Sequence, residues 1–246
     1  MDLSTGSVAS PGQTPLAQGD PHRDGRYLAN NPGWHVGDSA YKVQQITAML
    51  RRHGLTPLRV GEAGCGAGEV LRLLQAQLPA EAELWGYDIS PQAIQLAAGR
   101  ANPRLHFTLA DISSEATPPF DLLLVLDVLE HVPDYLGWLA RLRGKSEFML
   151  FHIPLAITVE SVLRRALLGR RAKYGHLHYF TQETALATLQ DVGFQVVDWR
   201  FSPYAVTVAS GPAQKLFRVP RRLAFALAPE WAVRVLGGYH LLVLAR

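Results

Sequence analysis

The chain has 246 residues, 48% of them hydrophobic, with a formal net charge of +3 and a single cysteine. That length and apolar content supply a sizeable core, one cysteine excludes an intramolecular disulfide framework and any CxxC zinc or redox pair, and so small a charge gives no electrostatic ground for a nucleic-acid partner. A cytoplasmic address is expected. The most apolar late run, LAFALAPEWAVRVLGGYHLLVLAR, is interrupted by Pro229, Glu230, Arg234, Gly237, Gly238 and His240, so it cannot supply the roughly 20 clean apolar residues of a membrane span.

Met1 to about Gly25 is rich in Ser, Gly, Pro, Thr and Gln. It lacks the charged head and apolar centre of a secretory signal and has too few large apolar side chains to offset ordering entropy. A disordered tail over 1–25 and a single domain over 26–246 are expected. Val43, Ile46, Met49 and Leu50 share one helical face, and Gly54 with Pro57 ends that helix.

Strand-like runs follow at Leu58 to Ala63, Leu84 to Ile89, Leu105 to Leu109, Phe120 to Leu126 and Phe148 to Ile153, with helical patterns between the first three. This alternation predicts βαβ units and a mostly parallel, doubly wound α/β sheet with helices on both faces. FDLLLVL, apolar on both faces, belongs at its centre. Thr181 is an expected N-cap for TQETALATLQDV, and Gly193 its left-handed stop. FQVVDWRF and, after the Gly237-Gly238 turn, HLLVLAR read as the closing strands. Arginine clusters at 164–173 and 218–222 read as solvated helix faces.

VGEAGCGAGEV lies where the first strand opens into the first sheet-crossing helix, the usual ligand contact of a doubly wound fold. Gly64, Gly66 and Gly68 are spaced G-x-G-x-G rather than G-x-G-x-x-G, and no Gly-Lys-Ser or Gly-Lys-Thr follows, so neither a dinucleotide fingerprint nor a P-loop is present. Glu62 would repel a phosphate and attract an amino group. Asp88, ending the second strand, can accept from ribose hydroxyls, and Asp111, ending the third, from an exocyclic adenine amine. Ribose, adenine and an amino-bearing tail together describe S-adenosylmethionine.

With VGEAGCGAG, GYDIS, LADIS and FDLLLVLDVLEHVPD in this order, the chain resembles the class I S-adenosylmethionine-dependent methyltransferases. GHLHYFTQETALATLQDVGFQVV and YLANNPGWHVGDSAYKVQQI also resemble segments of bacterial members. The resemblance implies a Rossmann-like seven-stranded sheet whose last strand is antiparallel, with S-adenosylmethionine as cofactor. It gives Gly64, Gly66 and Gly68 backbone contact with the methionine part, and Glu62 a role in shaping that loop or holding the amino group. It sets Asp88 on the ribose with Ile89 against adenine, Asp111 and Ile112 flanking the adenine, and Asp127 near the cofactor. Cys65 reads as a small packing side chain rather than a nucleophile. Trp34, with His35, either anchors the first helix or covers the cofactor.

Methyl transfer needs a base only if the acceptor must lose a proton, and neutral imidazoles serve near pH 7. His131, His152, His176 and His178 are the candidates. Asp127, Glu130 and His131 could be viewed as a metal set, but no further ligand cluster accompanies them in sequence, so turnover without metal is expected. Insertions near 155–175 and 204–238 are expected to shape the acceptor site. The first is apolar and arginine-rich, which suits a cap and also peripheral contact with a membrane. The expected reaction is O- or N-methylation of a small-molecule, lipid-linked or sugar-linked acceptor. Its rivals are a non-catalytic cofactor-binding scaffold or sensor and a protein or RNA methyltransferase. No Asn-Pro-Pro-Tyr or Asp-Pro-Pro-Tyr follows the fourth strand, which argues against planar exocyclic amines as acceptors.

Overall fold

The computed structural model describes residues 20–208 and 218–246. Most of the expected tail, and residues 209–217 of the second insertion, lie outside them. Residues 20–25 form a turn in which the Arg23 and Asp24 N–H groups donate to the Asp20 carbonyl.

The framework is one seven-stranded sheet in the order β3-β2-β1-β4-β5-β7-β6, with β1 Arg59–Ala63, β2 Glu83–Asp88, β3 Leu105–Leu109, β4 Phe120–Leu126, β5 Ser146–Pro154, β6 Val196–Ser202 and β7 His240–Ala245. Only β7 runs antiparallel to its neighbours. Each strand predicted from apolar runs is present within two residues at either end.

Alternation along the central strands separates two cores. Leu122, Leu124 and Leu150 face a cluster with Ile46, Met49, Leu71 and Leu74. Leu123, Val125 and Phe151 face another with Trp138, Leu139, Phe180 and Leu189. Helices over Ser39–Arg52 (α1) and Glu69–Gln75 (α2) cover the first face, with α1 using the predicted Val43, Ile46, Met49 and Leu50 stripe. The predicted cap is present too: the Thr181 side chain accepts from the Thr184 N–H ahead of Gln182–Asp191, and Gly193 sits at φ 94°.

Two consequences position the site. The order of connection reverses between β1 and β4, so their carboxyl ends open a crevice. Because β7 is antiparallel, its first residue lies at that same edge: His240 pairs with Pro154 at the end of β5 and with Ser202 at the end of β6.

Candidate active site

The loop after β1 is held by β2. Asp88 accepts the Gly66 N–H through Oδ2 and the Ser90 N–H through Oδ1, each at 2.8 Å, and burial raises its pKa. Gly64 and Gly66 adopt φ 69° and 53°, a region that favours glycine. A Cβ on Gly66 would stand 2.6 Å from the Trp34 indole, and one on Gly64 2.7 Å from Val128 Cγ2. Trp34 therefore packs directly over the loop. A Cβ on Gly68 would instead strike Phe107 and Ala97, so this third glycine admits close helix-to-sheet packing. Cys65 is buried against Gly86, and burial pushes its thiol well up, as expected for a packing residue.

A cavity of about 440 Å³ opens along the ends of β2 and β3 and is lined by Asp88, Ile89, Asp111 and Ile112. Asp111 Oδ1 accepts from the Trp138 indole N–H at 3.0 Å and from the Ser113 N–H at 2.9 Å. Both donors fix the carboxylate's direction. His22, Tyr27 and Trp34 close the cavity's near side, with Tyr27 and Trp34 rings 5.0 Å apart. The end of the expected tail thus packs against the site.

A second cavity, of about 420 Å³, is continuous in its lining with the first through Tyr27, Trp34, Gly64, Asp127 and His131. Glu62 lies on its floor, 2% exposed, with Oε2 buried and unpartnered. Burial pushes its pKa up to about 8, with Asp88 adding to the rise and Lys42 opposing it. Lys42 Nζ stands 2.7 Å from Asp127 Oδ2. Burial opposes the charge on Asp127, but Lys42, His152 and His240 together hold its pKa well below the usual range. Glu130 is driven the other way, its pKa pushed well above the usual carboxylate range by burial and by Asp127.

Of the four candidate histidines, His131 and His176 line this second cavity. Both are kept neutral chiefly by burial, His176 with its pKa lowered to about 4. Their rings meet edge to face at 5.0 Å. His152 lies deeper, Nδ1 2.8 Å from Asp127 Oδ1 and Nε2 3.1 Å from Ser202 Oγ. His178 packs at a tilt against Tyr135, ring centroids 4.6 Å apart, with Nε2 3.2 Å from the Pro133 carbonyl. Neither of these two faces either cavity.

Sequence reasoning missed Lys42, Tyr27, Trp138, Arg170, Tyr204 and His240. Tyr204 donates to Asp38, and His240 stacks on His152 with ring centroids 4.5 Å apart. The signal for His240 was present: a histidine opening an antiparallel last strand falls at the functional edge of a parallel sheet. Backbone strain marks the same place. Among the described residues, non-glycine positive φ occurs at Trp34, His35, Asp127 and Arg165, of which the first three line the charged cavity.

Among the described residues, the donor sets within reach of a metal are Asp127, His152 and His240, and separately Glu130, His131 and His176. Asp127, Glu130 and His131 thus fall into two groups. The first already has its charge met by Lys42.

These residues fit S-adenosylmethionine. The unpartnered Glu62 oxygen matches an ammonium, a Cβ-free cradle at Gly64 and Gly66 admits a close ligand, and Asp88, which ends β2, and Asp111, two residues beyond β3, line the adjoining cavity. Residues 33–198 match the family model described as "Methyltransferase domain". The chain is 34% identical over 118 residues to a trans-aconitate 2-methyltransferase from Methylobacterium radiotolerans, covering 46% of this chain and 44% of that protein. A counterpart from Streptomyces avermitilis is 35% identical over 108 residues, covering 42% and 40%. The matched segments span less than half the length of these relatives. Among solved structures, magnesium protoporphyrin IX methyltransferase from Synechocystis with bound SAH superposes with a TM-score of 0.57 at 18% identity, covering 86% of this chain and 84% of that one. The N-methyltransferase NodS from Bradyrhizobium japonicum, in complex with S-adenosyl-L-homocysteine, gives 0.57 at 19%, covering 90% and 95%. At such identity these two show a shared fold. With its glycine loop, its sheet order and a family match running over residues 33–198, the chain belongs to the class I S-adenosylmethionine-dependent methyltransferases.

Proposed function

We propose that the protein transfers a methyl group from S-adenosylmethionine to an oxygen or nitrogen of a small-molecule, lipid-linked or sugar-linked acceptor in the cytoplasm. The observation that carries the reading is Glu62, a buried carboxylate with a free oxygen beneath the glycine loop. Such an atom is costly to bury without a partner, and a cofactor ammonium supplies one. Asp88 holds the ribose, Asp111 with Ile89 and Ile112 frames the adenine, and Trp34 covers Gly66 as a lid.

Bound there, S-adenosylmethionine supplies a methyl group on a good leaving group, so much of the rate comes from alignment. Asp127, fixed by Lys42 and His152, sets the floor where donor and acceptor meet. His131 and His176, both neutral, accept the acceptor's proton where one must leave. Arg170 lines the same cavity and its guanidinium has no ion pair or hydrogen bond among the described residues, which favours an acceptor with an anionic group, as trans-aconitate has. Turnover without added metal belongs to this reading, since the Lys42 ammonium already neutralises Asp127.

Titration calorimetry with S-adenosylhomocysteine is the first test; a folded sample that does not bind it sinks the proposal. Release of S-adenosylhomocysteine in the presence of trans-aconitate and other acidic acceptors, with and without chelator, then tests the reaction. Activity lost in chelator and restored by magnesium overturns the metal-free part alone.

A further inference from the structure

We propose that the helix Arg218–Leu227 and the start of the helix Pro229–Leu236 form a docking face for the surface of an anionic lipid bilayer. The first of these helices is mounted with its apolar stripe outward. It is held to the body by its other side: Phe225 stacks on Tyr239 at 5.1 Å, Arg221 Nη2 donates to the Leu236 carbonyl at 3.1 Å, and the Tyr239 hydroxyl donates to the Arg221 carbonyl at 3.2 Å. Val219, Leu223 and Leu227, spaced by four along one face, are left 63%, 60% and 86% exposed, and Trp231 just beyond is 54% exposed. Single exposed apolar residues need no explanation, but a contiguous stripe ending in tryptophan does.

The exposed apolar surface continues onto the first insertion. The helix Pro229–Leu236 packs on Val159–Leu163, whose Val162 and Leu163 are exposed and share a groove with Val233 and Arg234. The charges around the stripe identify its occupant. Arg218–Leu227 carries three arginines and no acidic residue, and Arg218 and Arg222 are exposed. Nearby, Glu160 is paired with Arg164 and Glu183 with Arg234, leaving Glu230 as the local carboxylate without an ion pair among the described residues. A second copy of this face would bring arginines against arginines. A bilayer accepts the apolar stripe at the level of its acyl chains and offers anionic headgroups to arginines whose stems reach outward. Gly238, Tyr239 and His240, directly after these helices, line the charged cavity, so the docked face would frame its mouth. This inference stands whether or not the acceptor is lipid-linked.

The test is co-sedimentation of the full chain with vesicles of phosphatidylcholine alone and of equimolar phosphatidylcholine and phosphatidylserine. Pelleting with the mixed vesicles only, released by high salt, is expected. Leu223→Glu/Leu227→Glu should lower vesicle partitioning roughly tenfold or more, and Arg218→Glu/Arg222→Glu should remove the preference for phosphatidylserine. Thermal unfolding and S-adenosylhomocysteine affinity should stay as in the parent, because none of these side chains lines either cavity; Leu227→Glu alone serves if the double variant is unstable. Wild type left in the supernatant, pelleting that neither pair of substitutions alters, or a dimer that Leu223→Glu/Leu227→Glu dissociates without any vesicle binding would each overturn the proposal.

Discussion

Lys42 Nζ and Asp127 Oδ2 stand 2.7 Å apart, joining the first long helix to the end of the central strand beneath the charged cavity. Burial works against both charges, but the pair holds Asp127 well below its usual pKa and raises that of Lys42. A depressed carboxylate contributes stability above its unfolded pKa, and a raised amine contributes below its own, so the pair stabilises the fold from roughly pH 4 to pH 10. Lys42→Met should cost about 3 kcal/mol in urea unfolding, because it leaves a buried anion uncompensated. The deficit should be equal at pH 6 and pH 8, and Lys42→Met/Asp127→Asn should recover part of it. Wild-type stability in Lys42→Met would mean that the pair is effectively solvated.

Glu62 links cofactor affinity to pH. Its pKa of about 8 without ligand means that the carboxyl is mostly protonated at pH 7, and pairing with an ammonium requires it to ionise. Affinity for S-adenosylhomocysteine should therefore rise with pH, by up to roughly tenfold per unit below 8, and level off above. Calorimetry in two buffers of different ionisation enthalpy should report proton release near pH 7. In Glu62→Gln the profile should flatten while affinity falls. Stability runs the opposite way: between the ordinary glutamate pKa and 8 the folded state holds the extra proton, so this group makes the unliganded protein less stable as pH rises. A wild-type affinity independent of pH from 6 to 9 would remove Glu62 from the ammonium role.

What could be read directly from sequence was whatever is encoded locally. The strands over Phe120–Leu126 and Arg59–Ala63 follow from apolar runs, the helix after Thr181 from its cap, and Asp88 and Asp111 from their positions at strand ends. What escaped depends on contacts distant in sequence. Lys42 sits on a helix read for its apolar stripe, and only the fold brings it to Asp127. Trp138 meets Asp111 across 27 positions of sequence, and Tyr204 and His240 reach the site through the antiparallel last strand and the segment after β6. His152 and His178 carried the right chemistry near strand ends, but their partners Asp127, Ser202 and Tyr135 direct them away from both cavities. Composition gave residues 20–25 to a tail because few of them are large and apolar, yet His22 lies within 4.4 Å, centroid to centroid, of the Tyr27 ring.

Trp34 and Gly66 act as a matched pair. The indole occupies the space a Cβ on Gly66 would need, and Trp34 holds φ 42°, a strained value for an aromatic residue. Trp34→Ala should weaken S-adenosylhomocysteine binding by roughly tenfold, the scale of one lost buried aromatic contact, with little change in melting temperature. Gly66→Ala should weaken it further, and adding Trp34→Ala should relieve the clash but not the strain at φ 53°. Tight binding by Trp34→Ala would reduce the indole to an anchor for the helix behind it.

The histidines separate by pH and by kinetic parameter. His176 has its pKa lowered to about 4, first by burial and then by Arg170, so it stays a competent proton acceptor at every pH above roughly 5. His131 is held neutral by burial as well, with His22 and His176 adding to the drop. With an acceptor that must lose a proton, kcat should show no acid limb from these groups between pH 6 and 8, in contrast to an ordinary histidine near 6.5. His176→Gln and His131→Gln should lower kcat by roughly a hundredfold or more and leave S-adenosylhomocysteine affinity nearly unchanged. His178→Gln, remote from both cavities, should leave kcat within roughly twofold of wild type. His152→Gln should instead act through Asp127, reducing stability and cofactor affinity together as the carboxylate loses its hydrogen bond from the imidazole. If His178→Gln proves the most damaging of the four, the proton acceptor lies outside the charged cavity and the proposed acceptor site moves with it.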